Sequence, residues 1–464
     1  MAEPAPIEDT EQEPPQAEEM FGLSRELVED ILAALAAGQD DRVRELILPL
    51  HYADAADLFE RVDSEDRRRL LGIMGPEFDA EILPALNEDV QEEVIEFMGL
   101  AGVAAAIGDL DSDDAVHLAG QLEDEDREKL MESLPSDERA IIEQGLSYPE
   151  YSAGRLMQRE MVTVPAHWTV GEAIDFFRTG VELPEDFYKI FVLDADQRPK
   201  GMVKLSALLR VQRPTPLLDI MDEDMHLIPT DMDQEEVAFL FRQQDLIAAP
   251  VVDASGRLVG RITVDDVVDV IDEEAEDDML ALAGVSDDFY RDILDTAKSR
   301  FTWLLVNLGT AFCASMIISL FHGTIEKVVA LAALMPVVAS IGGNAGTQTL
   351  TVTVRALAMK ELTGTNARRA VGKEALVALL NGLTFAVLAG GAAWVLFGEQ
   401  DIGLIIAAAV AINLLNAGLV GILIPLGLNR LAIDPAVSSS VFLTAATDMV
   451  GFLVFLGLAT LVLL

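Results

Sequence analysis

The sequence has one cysteine, Cys313, in 464 residues. A single thiol cannot close a disulfide within the chain or build a thiolate metal site. It lies in an apolar run, where it reads as a small packing residue. Basic residues are also scarce: 32 Lys and Arg stand against 79 Asp and Glu, for a net charge of −47. A surface of that sign repels nucleic acid and anionic membrane surfaces, and it suits cations. The opening stretch, MAEPAPIEDTEQEPPQAEEM, lacks the basic start and apolar core of a signal peptide. It is polar, acidic and Pro-rich, which predicts a disordered leader over 1–21 and a cytoplasmic head. No P-loop, Ser-His-Asp or metal-hydrolase motif is visible, which speaks against an enzyme.

The charge is unevenly placed. From Phe301 onward there are only seven of the basic and seven of the acidic residues, so the first 300 residues hold the whole net charge. Much of that charge reads equally well as a solubility device, but local clusters at defined places do not. The neutral part carries apolar runs long enough to cross a bilayer, which takes roughly 20 residues per helix. They fall near 301–321, 327–358, 374–397, 402–428 and 437–463. The second is too long for a simple span and contains Pro336 and GGNAGTQ, so a broken helix or one that extends beyond the bilayer is expected. Freed carbonyls at membrane depth are tolerated only where backbone lines a cavity or packs in protein. Asn344 and Gln348 are four apart and share a face, so Gly342, Gly343, Asn344 and Gln348 are pore-lining candidates. The loop after the second run carries Lys360, Arg368, Arg369 and Lys373, whereas the loop after the third has Glu399 and Asp401 and no cation. The positive-inside rule puts the former in the cytosol. Five spans then leave the acidic head inside and the C-terminus outside, in a multi-pass protein of the cell (inner) membrane.

Two repeats organise the head. DAADLFERVDSEDRRRLL from Asp54 resembles DAVHLAGQLEDEDREKLM from Asp114, at an offset of 60. Short amphipathic helices repeated this way suggest a superhelical stack, with Asp or Ser before each apolar run as N-caps. A second repeat runs from about Gly154 to Asp272. Pro165, Glu172 and Arg178 pair with Pro229, Glu236 and Arg242, and Val192, Asp194, Arg198 and Gly201 pair with Val251, Asp253, Arg257 and Gly260. Each copy reads as strand, turn, helix, then strands around Asp-x-x-x-Arg-x-x-Gly and a closing helix. This resembles a tandem CBS pair, a regulatory module of many transporters and enzymes. Beyond it, DVVDVIDEEAEDDMLALAG is a helix candidate crowded with carboxylates.

Asp448 is the one carboxylate deep within an expected span. An unpaired charge there costs about 2.5–3.5 kcal/mol on insertion scales, which makes it a functional candidate. The competing reading is interhelical glue, with Asp448 bonded to Asn or Thr on a neighbouring helix. A hard divalent cation takes oxygen ligands, and Mg2+ sheds water reluctantly, so a sparse carboxylate among carbonyls and hydroxyls suits hydrated Mg2+. A Zn2+ or Cu+ carrier calls for His, Cys or Met clusters, and the spans offer only scattered Met and a boundary His322.

The strings MPVVASIGGNAGTQTLTVTVRALA and IDPAVSSSVFLTAATDMVGF, with the two head repeats in the same order, resemble the MgtE family of Mg2+ channels and transporters. The resemblance implies an all-α superhelical N-domain (22–150), an α/β tandem CBS pair (151–272), an acidic connecting helix (273–300) and a five-helix α transmembrane domain (301–464). It implies a homodimer in the lipid bilayer, with a pore between the membrane domains and cytosolic Mg2+ as a regulatory ligand. Asp448 matches the pore aspartate that binds hydrated Mg2+, Thr444 and Ser440 sit one and two turns before it, and Asp434 matches an acidic residue at the cytosolic mouth. Asp434 is 14 residues from Asp448, roughly 21 Å along a helix. Here Ser439-Ser440-Val441 stands where the family often has Asn or Gly followed by Pro. Matching regulatory positions are Asp233, Glu235 and Asp245 in the second CBS copy, Asp266, Glu274, Asp277 and Asp278 toward and along the connecting helix, and Asp113 in the N-domain. His117 stands where the family can have a second Asp. CBS pairs often bind adenosine nucleotides, and TVDD places Asp265 or Asp266 where a ribose contact commonly lies, so ATP at the pair is also implied. The expected function is a Mg2+-selective channel gated by cytosolic Mg2+. The alternatives are a broader divalent carrier or exchanger (Mg2+/Co2+) and a non-transporting membrane sensor.

Overall fold

The computed structural model describes residues 23–179, 183–184, 187–285, 293–431, 433–436 and 439–464. The expected leader over 1–21 lies outside the described residues, as do 286–292 of the expected connecting helix and 437–438 of the expected last span. The chain forms two compact units, divided between Val270 and Ile271.

In the first unit the offset of 60 is structural. Helices α1 (Tyr52–Arg61) and α2 (Ser64–Met74) are followed by α3 (Glu88–Ile107), and then by α4 (Ser112–Gln121) and α5 (Asp124–Ser133), which begin 60 residues after α1 and α2. The equivalent leucines, Leu58 and Leu118, Leu70 and Leu130, are all buried in one hydrophobic core that extends from Leu23 to Ile142. The paired arginines also do the same work. Arg67 donates from Nη2 to the Val62 carbonyl at 3.1 Å, and Arg127 donates from Nη1 to Leu122, its equivalent, at 3.2 Å. Each cation thereby closes the turn between two helices by satisfying a carbonyl at the end of the first helix. The difference lies in the anion. Buried Arg67 pairs with half-buried Glu93 of α3 and also donates to the Phe59 carbonyl, whereas Arg127 pairs with Asp124, whose side chain is 94% exposed.

The CBS repeat is equally regular. β1 (Thr163–Pro165), β2 (Lys189–Leu193) and β3 (Pro199–Lys204) form one sheet, and β4 (Ile228–Pro229), β5 (Ala248–Val252) and β6 (Leu258–Thr263) form a second of the same order. Helix α6 (Val170–Phe177) follows β1, and α7 (Gln234–Gln244) follows β4. In each sheet the first pair is parallel and the second antiparallel, with Val192 opposite Gly201 and Val251 opposite Gly260. The repeated Asp earns its place in the turn: Asp194 accepts from the Asp196 and Arg198 amides, Asp253 from those of Ser255 and Arg257. The repeated Gly is needed for close approach. A Cβ on Gly201 would lie 2.9 Å from the Asp222 carbonyl oxygen, and one on Gly260 would lie 2.8 Å from that of Gln158. The segment that covers the first copy is the linker between the two copies, and the one that covers the second precedes β1.

Helix α8 (Val264–Ala283) leaves β6 and continues as one helix through the carboxylate-rich stretch. The acidic helix therefore starts within the second CBS copy. Five long apolar helices follow: α9 (Ile293–Leu320), α10 (Ala330–Ala358), α11 (Ala367–Phe397), α12 (Gln400–Arg430) and α13 (Ser439–Leu463). They agree with the expected spans. Residues Ala378, Gly382, Ala386 and Gly390 line one face of α11 at four-residue spacing and are all buried. A Cβ on Gly390 would come within 2.7 Å of the Gly403 carbonyl oxygen, and one on Gly418 within 2.6 Å of the Ala378 Cβ. Small residues let backbones meet where lipid supplies no hydrophobic drive between helices.

Of the two alternatives for the second span, a helix longer than the hydrocarbon core agrees with the 29 residues of α10, and a break is excluded. The second span is not broken at Pro336 or at GGNAGTQ, since α10 is helical from Ala330 to Ala358. Pro336 is the seventh residue of α10, so one ladder bond, to the Ala332 carbonyl, is missing inside a helix that nonetheless continues. The glycines serve packing instead of releasing carbonyls. Gly342 lies under the Asn413 side chain, Gly346 lies under Leu443, and Gly421 faces the Gly346 carbonyl.

Removing one member of a buried ion pair strands the other, whereas a pair with an exposed anion contributes little. Arg67→Ala is therefore expected to destabilise the N-domain by about 3 kcal/mol, and Arg127→Ala by about 1 kcal/mol or less. Amide exchange within α1–α5 of the two variants measures the difference, and equal losses of protection would contradict it.

Candidate cation sites

Asp448 sits in α13, ten residues into a 25-residue helix, and is half-buried. It makes no hydrogen bond or ion pair among the described residues. Its polar neighbours along the helix are engaged elsewhere: Thr444 Oγ1 donates to the Ser440 carbonyl at 2.9 Å, and Thr447 Oγ1 donates to that of Thr444 at 3.0 Å. Thr444 is exposed and Ser440 half-buried. The glue reading required Asp448 to bond Asn or Thr of a neighbouring helix, and that bond is absent among the described residues. On α10, Asn344 and Gln348 share an exposed face as their spacing predicts, and Gly343 has open space above it, but Gly342 is buried against Asn413.

Asp434 is not on the same helix as Asp448. It precedes α13 in non-helical backbone, where its Oδ1 accepts from the Ala436 amide at 2.8 Å. The 21 Å helical estimate therefore does not apply. Within this second unit, Ala281 and Leu282 at the end of α8 pack on a cluster of Leu350, Val354, Ala436 and Leu443. Asp278, one turn earlier on α8, is half-buried, and burial followed by the charges of Asp434, Glu274 and Asp277 pushes its carboxyl up to about 6. The structure thus brings Glu274, Asp278 and Asp434 together electrostatically, with Asp277 exposed beside them.

A second carboxylate group lies inside the first unit. Asp113 near the start of α4 is buried, and its Oδ1 has no hydrogen-bond partner. Burial first, then Asp266, Asp114 and Asp111, hold its carboxyl well above the usual range. Asp114 is pushed up to about 7 by burial and by Glu81 and Asp266. Asp266 is raised to about 6 by burial, despite accepting from Thr263 Oγ1 at 2.7 Å and from Gln158 Nε2 at 3.2 Å. Asp113 and Asp266 were expected from the sequence. Asp111, Asp114 and Glu81 were not, although the run Asp-Ser-Asp-Asp at the start of α4 already crowds three carboxylates into one turn. His117, also on α4, is held below its usual value by burial.

The three other expected residues do not converge. Asp233 caps α7, accepting from the Glu235 amide at 2.9 Å, and Asp245 ends the same helix in left-handed backbone with φ 51°. Twelve residues of helix separate them by roughly 18 Å, so Asp233 and Glu235 form one exposed end and Asp245 the other. Among the described residues, no three His, Cys, Asp or Glu side chains are gathered as a finished metal site. Carboxylates repel one another until a cation or proton sits between them, so pairs and loose groups are the arrangement expected of a site assembled by its ion. The orphaned Asp113 oxygen and the raised carboxyls fit a hard divalent cation held by oxygen.

Comparison with known proteins follows the same division. The MgtE family of divalent cation transporters matches residues 335–458, the MgtE intracellular N domain matches 50–151, and CBS domains match 153–213 and 217–273. The magnesium transporter MgtE of Thermus thermophilus is 33% identical over 449 residues, which cover 95% of this chain and 99% of that protein. That of Bacillus subtilis is 29% identical over 94% of this chain and 97% of its own length. The crystal structure of the cytosolic domain of the Mg2+ channel MgtE in complex with ATP is 32% identical, covering 52% of this chain and 99% of that one, with a TM-score of 0.49. With both its membrane helices and its two head modules matched in order, the chain belongs to the MgtE family of divalent cation transporters.

Proposed function

We propose that the chain is a Mg2+-selective channel of the cell membrane, gated by cytosolic Mg2+. The observation that carries this reading is Asp448, an unpaired carboxylate deep within a span. Membrane insertion of such a charge is costly, and no neighbouring group among the described residues offsets it, so its counter-charge is the permeating ion. Oxygen from Asp448, with the Thr444 and Ser440 hydroxyls on the preceding turns, suits a hydrated divalent cation more than a soft metal. The relatives are named magnesium transporters, which supports Mg2+ as the cargo. One Asp448 per chain suits a homodimer with a two-fold pore. The segments 22–150, 151–272, 273–300 and 301–464 are then the sensing, regulatory, connecting and conducting parts, with the head in the cytoplasm and the C-terminus outside.

Gating rests on the carboxylate groups. Bound Mg2+ would supply two positive charges to be shared by Asp113 and Asp266, by Glu274, Asp278 and Asp434, or by Asp233 and Glu235 across a neighbouring surface. Asp245 and Asp277 lie exposed and would add charge from the sides. Without that charge, Asp278 and Asp434 repel. With it, the α8 end stays seated under α10 and α13 through Ala281 and Leu282. The ion stabilises the seated arrangement because it binds that arrangement better. We assign ATP to the CBS pair through Asp265, which leaves Asp266, held by Thr263 and Gln158, to the Mg2+ shared with Asp113.

Asp448→Ala is expected to reduce Mg2+ flux into liposomes at least about tenfold, since one charge-assisted contact of roughly 1.5–3 kcal/mol is removed. Undiminished flux would contradict the pore assignment.

The head makes its own pH prediction. The carboxyls of Asp114 and Asp266 are raised to about 7 and about 6 in the folded head, above the value near 4 of an unfolded chain. Their contribution to stability is fully present below about pH 4 and is lost as pH rises through about 6 to 7. In the absence of divalent cations the melting temperature of the head should fall across that window. Added Mg2+ should raise it more at about pH 8 than at about pH 5, where protons already occupy the carboxyls. An equal Mg2+ effect at both would contradict a cation site at this cluster.

A further inference from the structure

A fully enclosed amide of the membrane unit lies outside every motif considered so far. Asn413, on α12, is 1% exposed. Its Nδ2 donates to the Val338 carbonyl of α10 at 3.0 Å, while its Oδ1 is buried with no hydrogen-bond partner. Glycine faces it from both sides. A Cβ on Gly342 of α10 would lie 2.2 Å from Nδ2, and a Cβ on Gly451 of α13 would lie 2.8 Å from the same atom. Val338 Cγ1 completes the wall, 3.3 Å from where a Gly451 Cβ would stand. No side chain but glycine fits either facing position without displacing the amide.

A buried polar atom without a partner is costly in a bilayer, so a plain apolar contact would hold these helices together at lower cost. What the amide provides and an alkyl group does not is a directional bond. It fixes the height and rotation of α12 on α10, and the Gly451 backbone then rests on the fixed amide plane. Gly451 is three residues, about one turn, after Asp448. Thr447, the residue before Asp448, is fully buried. An axial slip or rotation of α13 at Gly451 moves the Asp448 carboxylate with it, because a helix turn is rigid on that scale.

We infer that Asn413 is a positioning residue for permeation, an interhelical lock between Gly342 and Gly451 that sets where Asp448 presents its carboxylate. This rests on the assignment of Asp448 to the ion path. It also gives Gly342 a role different from lining the pore, as the seat of the lock.

The full chain in proteoliposomes tests it. Asn413→Ala removes the amide and adds no volume. The Mg2+-over-Ca2+ flux ratio is expected to fall roughly threefold or more in protein that still assembles, as for residues in direct contact. Gly342→Ala drives a methyl group into the amide and is expected to lower Mg2+ flux about tenfold. Asn413→Ala in that background should restore flux above that of Gly342→Ala alone, because the methyl group then occupies the vacated space. Gly451→Ala presses on the amide from α13 with the Val338 bond intact. It is expected to lower the flux ratio in the same direction, and it decides the matter if Asn413→Ala fails to assemble. An unchanged ratio in assembled Asn413→Ala or Gly451→Ala, or a double variant no better than Gly342→Ala, would overturn the lock. Asp448→Ala run alongside separates the two readings: normal flux there removes the pore assignment itself, whereas lost flux there with unchanged ratios in the Asn413 and Gly451 variants removes only the lock.

Discussion

Negative charge held at close range is the constraint on which the rest of this structure depends. Asp278 faces Asp434 and Glu274 at the end of α8, and Asp113 faces Asp266 and Asp114 inside the head. Burial strengthens each repulsion, because the low dielectric screens it less. Each group is at rest only when a proton or a cation sits within it. The head has ample carboxylates for solubility, but Asp113, Asp114, Asp266 and Asp278 differ from most of the remainder in that partial or full burial beside other carboxylates raises them. A divalent ion is the economical solution, since it supplies two charges at once and binds carboxylate oxygen directly.

The membrane unit answers a different demand. Its helices cannot be driven together by apolar surface alone, so they meet through small residues that bring backbones into contact. Gly382 and Gly390 of α11 meet α12, and Gly342 of α10 and Gly451 of α13 meet its Asn413. Helix α12 is thereby the post against which the other three are set. The reading of Asn413 as a lock gives that post a polar register mark where apolar packing would permit slippage.

Much of this was legible in the sequence, and for identifiable reasons. The offset of 60 and the Asp-x-x-x-Arg-x-x-Gly repeat are local patterns with local consequences, so Arg67 and Arg127, and Gly201 and Gly260, occupy equivalent places as their spacing implied. The five spans followed from length and apolarity. The role of GGNAGTQ did not follow, because glycine serves equally to break a helix and to admit a neighbour. Only the partner side chain, Asn413 from 71 residues beyond Gly342, separates the two. Glu81 and Asp114 escaped notice for the same reason, since their meeting depends on how the N-domain helices stack. Asp434 was misplaced onto the last helix because Asp-Pro ahead of a span does not say where the helix starts. Asp233 and Asp245, both matched as regulatory positions of the second CBS copy, stand at opposite ends of α7.

The central claim is that Mg2+ holds the α8 end beside the segment before α13 by offsetting the charge between Asp278 and Asp434. Spin labels at Glu276 and Leu431, both exposed, with Cys313 replaced, report that separation directly in the full chain. The account predicts a single narrow distance distribution in Mg2+ that broadens toward longer distances when Mg2+ is removed and K+ retained. The same distribution in both conditions would contradict it.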